Sequence, residues 1–177
     1  MEKSEDFKLI TRAISGVLRN AQEGELPLFA WTLGQPQSEF ISMLRQCFPE
    51  LDGLEEMPEH QYRIIKDPVP AVFSEMVSML IANCTPSANP SHVAWLARSI
   101  TAASLGSRDL WQDLGLMNNH DVAALLKSYF YPLYERNNDN LNWKRFIYAA
   151  FGAAQASADK KLPECSKCSL CKECSSK

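Results

Sequence analysis

The stretch from Ser4 to Asn20 reads SEDFKLITRAISGVLRN, and it sets the pattern that most of the chain follows. Its apolar residues recur at spacings of three and four, which places them on one face of an α-helix. They are Phe7, Ile10, Ile14, Val17 and Leu18. Gly24 and Pro27 then end this predicted helix, because both residues disfavour its continuation.

The same spacing predicts five further helices, and alternating β-branched runs are almost absent. The second helix begins at Ser38 and stops before Pro49, and the third runs from Asp67-Pro68 through Ile81. The fourth runs from near Ser91 through Ile100, and the fifth spans about Asn119 to Tyr131, where Pro132 closes or kinks it. The sixth spans about Asn142 to Ala156. Residues 49–66 are predicted to form an acidic connector. The fold class is therefore predicted as all-α, a single helical bundle of about six helices over residues 1–158. An irregular, Cys-rich, metal-binding tail follows at residues 159–177.

The composition of the 177 residues excludes several classes of protein. Hydrophobic residues make up 46% and charged residues 22%, which excludes a disordered or collagen-like chain. The net charge of -3 gives no attraction for nucleic acid or anionic lipid, so neither nucleic acid nor a membrane is expected as a partner. No apolar signal segment follows the polar first residues, and we expect a cytoplasmic protein.

The six cysteines are unevenly placed. Cys47 and Cys84 lie on apolar helical stripes, where a thiol behaves as a small hydrophobic group. The other four form the run CSKCSLCKEC, three overlapping C-x-x-C units. They are Cys165, Cys168, Cys171 and Cys174. Because thiolates are soft ligands and disulfides do not persist in a reducing cytoplasm, this run predicts a metal or iron–sulfur site.

The spacing within the run favours an iron–sulfur cluster over a structural zinc site. A zinc site normally takes two C-x-x-C pairs from separated segments, whereas these four cysteines fall within ten residues. C-x-x-C-x-x-C loops commonly wrap a cluster with a fourth ligand from elsewhere. We therefore expect three of the four cysteines to bind one cluster and to leave an exchangeable position. Residues 159–177 carry five Lys against three acidic residues, a formal +2, and lysines near the thiols would lower their pKa.

Three stretches together resemble the NifQ family. They are LWQDLGL at Leu110–Leu116, ERN at Glu135–Asn137 followed by NLNWKRFIY at Asn140–Tyr148, and the Cys-rich tail. The similarity covers roughly residues 90–177, with a weaker match at Leu33-Gly34 and Phe48-Pro49. It implies an iron–sulfur protein that takes up molybdenum and donates it to the proteins that assemble the nitrogenase iron–molybdenum cofactor. Such a protein is a carrier with molybdate and nitrogenase cofactor assembly proteins as partners, rather than an enzyme.

The chain also departs from the family pattern. The family tail is similar to C-x4-C-x2-C-x5-C, and Cys165, Cys168 and Cys174 fit its last three positions, while the first falls on Lys160. Cys171 is an additional thiol, so either it replaces the missing ligand or the cluster keeps three protein ligands. Upstream, the family tends to have a His at the position of Asp109 and a Cys at the position of Ser104.

Several polar residues in these stretches have two possible roles. Gln112 and Asp113 would contact metal or a partner, or else provide helix caps and internal hydrogen bonds. The basic and amide side chains of the second stretch would bind an oxyanion such as molybdate, or else form a solvated helix face with ion pairs to Glu135 and Asp139. These side chains are Arg136, Asn137, Lys144 and Arg145. Gly115 is predicted to end a short helix in a left-handed conformation. His60, His92 and His120 are isolated, and none is predicted as a ligand.

Two other functions fit the same residues. One is a helical adaptor that uses Cys165 to Cys174 to bind zinc or to form reversible disulfides without molybdenum. The other is a degenerate relative whose tail binds nothing. Hydrolase and transferase motifs such as G-x-S-x-G, the P-loop and H-E-x-x-H are absent from the sequence.

Overall fold

The structure, a computed structural model, describes residues 4–51 and 53–159, with side chains up to residue 155. Every regular element in these residues is helical, which confirms the predicted all-α class. The elements are α1 (Glu5–Gln22), η1 (Leu28–Trp31, a 3-10 helix), α2 (Gln37–Cys47), α3 (Glu59–Lys66), α4 (Ala71–Ala82), α5 (Pro90–Ser104), α6 (Leu110–Asp113), α7 (Asn119–Tyr129), α8 (Tyr131–Tyr134) and α9 (Trp143–Asp159).

The chain divides into two compact units, with the boundary after Arg136. The first unit, up to Arg136, contains α1 to α8, and the second begins at Asn137 and contains α9. Among the described residues, no helix combines the length and apolar character that a bilayer-crossing segment needs.

Helix α5 is the centre of the first unit, where it packs against α1, α4 and α6. Its inward face is fully buried at Leu96, Ala97 and Ile100. The face of α1 that the sequence predicted is buried at Ile10, Ile14 and Val17. Apolar burial of this kind contributes about 25 cal/mol for each Å² removed from water, so these stripes hold the unit together.

The acidic connector predicted over residues 49–66 is wrong in its second half, which forms α3. The helix begins after Pro58 and buries one large side chain, Tyr62, whose hydroxyl donates to the Gln35 carbonyl at 2.9 Å. One buried residue in two turns is too weak a pattern to be read from periodicity. Tyr62 and its hydrogen bond to a carbonyl 27 residues earlier therefore anchor α3, a helix that the local sequence pattern does not predict.

Helix α4 starts later than predicted, at Ala71 rather than at Asp67-Pro68. Val69 precedes Pro70, and a residue before proline disfavours helical backbone angles. The short helix predicted around LWQDLGL is present as α6, and Gly115 follows it with the expected positive φ of 63°. Pro132 lies in the short α8, directly after α7 ends.

Candidate functional site

The segment from Ser104 to Leu116, which we call the motif loop, contains a buried carboxylate. Asp113 is fully buried, and its Oδ1 accepts a hydrogen bond from Arg108 Nε at 3.0 Å. Its Oδ2 accepts from the Arg108 backbone N–H at 3.2 Å. Arg108 also lies 3.8 Å from Glu25, so its guanidinium bridges a buried and a surface carboxylate. A buried charge needs such pairing, because an isolated one is very costly.

Two close backbone approaches hold the motif loop against α1. A Cβ on Gly16 would collide with the backbone of Leu114 and Gly115, and a Cβ on Gly115 would collide with Gly16. Beside them, Asn20 Nδ2 donates to the carbonyls of Gln112 and Asp113, at 3.0 and 2.9 Å. The last turn of α6 is therefore fixed by residues that lie more than ninety positions earlier in the sequence.

A third glycine makes room for the carboxylate. A Cβ on Gly106 would collide with the Asp113 carboxylate and with Leu26. Gln112, the other polar residue of LWQDLGL, accepts a hydrogen bond from the Asp109 backbone N–H at 3.2 Å. Of the two roles considered for Gln112 and Asp113, the structure shows capping and internal hydrogen bonding.

Two of the positions at which the chain departs from the expected family pattern lie in the motif loop. Ser104 is buried, and its hydroxyl donates to the Ile100 carbonyl at 2.7 Å. Asp109 is exposed and is the N-cap residue of α6. In this chain, a hydroxyl that bonds within α5 and a carboxylate at the N-terminus of α6 thus occupy these two positions.

A second polar cluster, which the sequence reasoning missed, surrounds the turn between η1 and α2. Leu33 and Gly34 both have positive φ, 51° and 63°. Arg98 Nη1 donates to both of their carbonyls, at 3.1 and 3.3 Å. Burial lowers the pKa of Arg98 and raises the pKa of Tyr62, which contacts the same turn, to about 12. The only sequence signal was the weak family match at Leu33-Gly34.

The second stretch of the family pattern builds a loop and a helix cap. Asn137 Nδ2 donates to the Leu141 carbonyl at 3.0 Å, and Asn137 Oδ1 accepts from the Leu141 N–H at 2.9 Å. Asn142 Oδ1 accepts from the Lys144 N–H at 3.1 Å and so caps α9. In the first unit, Arg136 Nη2 donates to Asn83 Oδ1 at 2.8 Å. Asn137 thus has a structural role, whereas oxyanion binding by the basic residues stays a prediction.

His92 lies in an aromatic cluster. Its ring centroid is 5.2 Å from that of Phe7, 5.4 Å from that of Trp95 and 6.2 Å from that of Tyr129. Burial in this cluster lowers the pKa of His92. His60 and His120 are exposed. The described residues contain no group of three or more His, Cys, Asp or Glu placed to hold a metal ion.

The predicted ligands Cys165, Cys168, Cys171 and Cys174 lie outside the described residues, as does Lys160. Cys47 is buried in α2, as its apolar stripe predicted, and Cys84 is half-buried after α4.

Comparisons with known proteins agree on one family. The family model described as NifQ matches residues 13–176, a range that includes both the motif loop and the four tail cysteines. The chain is 26% identical to Protein NifQ of Azotobacter vinelandii, over 89% of this chain and 84% of the relative. It is 25% identical to a Protein NifQ homolog of Sinorhizobium fredii, over 98% of this chain and 73% of the relative. No solved structure matches the chain.

Proposed function

The chain belongs to the NifQ family, and we propose that it is an iron–sulfur protein that carries molybdenum to the nitrogenase cofactor assembly proteins. Family membership places it in nitrogen fixation, in the biosynthesis of the nitrogenase iron–molybdenum cofactor. The finer role, a carrier that binds a cluster and hands over molybdenum, is the proposal.

One observation carries this proposal. The family match extends through residue 176 and so includes the complete run of four tail cysteines. The chemistry of that donor set fits an iron–sulfur cluster, because four thiols within ten residues supply the soft anionic ligands that iron in such clusters takes. When bound, the cluster would supply a surface at which molybdenum is taken up and released.

The motif loop supports assigning the ligands to the tail. Asp109 caps α6, and Ser104 hydrogen-bonds within α5, so neither offers the thiolate or imidazole that the family pattern has there. Cys171 is the additional thiol of this chain. We propose that Cys165, Cys168 and Cys174 bind the cluster and that Cys171 supplies the ligand missing at Lys160.

Metal analysis with electron paramagnetic resonance tests the carrier role. The protein is purified anaerobically from cells given iron and molybdate, beside the double variant Cys165→Ala/Cys168→Ala. We expect iron together with molybdenum in the wild type and neither metal in the variant. Cys84→Ser is the matched control, because it removes a thiol outside the tail and should leave both metals bound. Zinc alone would instead identify the adaptor, and no metal in any sample the degenerate relative.

The role of Cys171 needs a separate variant. If Cys171 is a ligand, Cys171→Ala should lower the iron content and change the resonance spectrum of the remaining cluster. Full iron content and an unchanged spectrum would show that three protein ligands suffice.

A further inference from the structure

A groove runs between α2 and residues 54–56, which follow it in the chain. It is lined by Ile41, Arg45, Leu54, Glu55 and Glu56, together with polar side chains of α2. Arg45 Nη2 donates to the Leu54 carbonyl at 3.1 Å, and so ties the far side of the groove to α2. Gln37 makes two hydrogen bonds with the backbone of Met57, at 2.9 and 3.0 Å. These bonds fix the shape of the groove before any ligand arrives.

Two exposed apolar side chains flank the groove in the chain. They are Leu51 and Met57, which are 41% and 39% exposed. Ile41 and Leu54 add apolar groups to the lining itself. Apolar groups in a concavity that polar residues surround are typical of a protein-binding surface.

The groove has a net negative charge, because its lining includes two acidic residues, Glu55 and Glu56, and one basic residue, Arg45. From Gln46 to Tyr62 the sequence contains no Lys or Arg. Glu50, Glu55 and Glu56 make no ion pair with any described residue, whereas Glu5, Glu25 and Asp67 each have a basic neighbour within 4 Å. Unneutralised charges beside exposed apolar groups select a partner of opposite charge and speed its association.

From these observations we propose that the groove binds a basic segment of a partner protein. The segment places apolar side chains against Ile41 and Leu54, and Lys or Arg side chains beside Glu55 and Glu56. The inference goes beyond the proposed carrier role and does not require a bound cluster, because the groove residues are far from the tail in sequence and include no cysteine.

The experiment uses the full chain and two synthetic peptides. The probe is a 14-residue amphipathic peptide of Leu and Lys, and its counterpart has Glu in place of every Lys. We expect amide shifts in a nitrogen-15 correlation spectrum at residues 37–58 with the Lys peptide alone, and weaker binding at higher salt. Fluorescence anisotropy should show that Glu56→Lys weakens binding of the Lys peptide on the order of tenfold. Glu23→Lys, an exposed residue after α1, is the matched control and should cause a smaller loss.

Three results of the peptide titrations would overturn the proposal. They are shifts outside residues 37–58, equal weakening by Glu56→Lys and Glu23→Lys, and equal binding of the Glu peptide. Self-association of the chain that Glu56→Lys abolishes would assign the groove to a second copy and would also overturn it. Circular dichroism verifies that each variant folds. Repeating the titration with Cys165→Ala/Cys168→Ala separates this inference from the carrier role, because we expect peptide binding to survive in that variant.

Discussion

The motif loop and the groove beside α2 use polar residues in opposite ways. In the motif loop, Asp113 is fully buried and accepts two hydrogen bonds from Arg108. In the groove, Glu55 and Glu56 are exposed and have no ion pair within the described part of the chain. The LWQDLGL motif therefore serves mainly to hold the helices together, while the segment after α2 has charged groups that a partner could contact.

Removal of the buried carboxylate should give the largest effect. Asp113→Ala removes the buried carboxylate that accepts from both Arg108 Nε and the Arg108 backbone N–H. We expect a loss of about 4 kcal/mol in the free energy of unfolding, because two hydrogen bonds to a charged acceptor are lost, at roughly 2 kcal/mol each. Urea unfolding followed by circular dichroism measures the loss. Asp113→Asn should lose less, and a loss below about 1 kcal/mol in the Ala variant would contradict the structural role of the motif.

Disruption of the contact between α1 and the motif loop should give the next largest loss of stability. Gly115→Ala adds a Cβ that collides with Gly16 and also strains a residue at a φ of 63°. We expect a loss of about 3 kcal/mol from these two causes together. Gly24→Ala is the matched control, since Gly24 has a φ of 78° but nothing within 4 Å of the added Cβ. It should lose about 1 kcal/mol, and equal losses would show that the close approach contributes nothing.

The sequence alone could predict the long helices but not the distant segments of the chain that pack against them. The stripe of Ile10, Ile14 and Val17 gives α1 directly, because helical periodicity is a local property. The bonds from Asn20 to the carbonyls of Gln112 and Asp113 join residues 92 and 93 positions apart, and no local pattern records them. The assignment of the cysteines depended on spacing and family resemblance, and it remains a prediction because those residues lie outside the described part of the chain.

A substitution at the turn before α2 should cost less stability than those in the motif loop and more than those in the groove. Tyr62→Phe removes one buried hydrogen bond to the Gln35 carbonyl, and we expect a loss of about 1 kcal/mol. Because burial raises the pKa of Tyr62 from 10 to about 12, its neutral form is the one that stabilises the fold. That contribution is complete below pH 10 and is lost as the pH rises through 12. The difference between wild type and variant should therefore shrink above pH 10, and a constant difference would contradict this assignment.

The aromatic cluster should respond to acid with a smaller effect. Burial lowers the pKa of His92, so the folded state favours the neutral ring. This contribution is present above the ordinary His pKa of 6.5 and is lost as the pH falls through the lower folded value. We expect the wild type to lose more stability than His92→Phe between pH 7 and pH 5, because Phe has no proton to gain. Parallel stability curves for the two proteins would show that the ring is not coupled to folding.

The smallest effect on stability should come from the groove. Glu55→Gln/Glu56→Gln removes two charges that have no ion pair among the described residues, so we expect a change within about 0.5 kcal/mol. In the urea experiment used for Asp113→Ala, the free energy of unfolding of this double variant should therefore be close to that of the wild type. If the variant nevertheless weakens binding of the Lys peptide, its charges act on a partner and not on the fold. A loss of stability comparable to that of Asp113→Ala would instead show that the glutamates serve the fold as the motif loop does, and the contrast between the two regions would disappear.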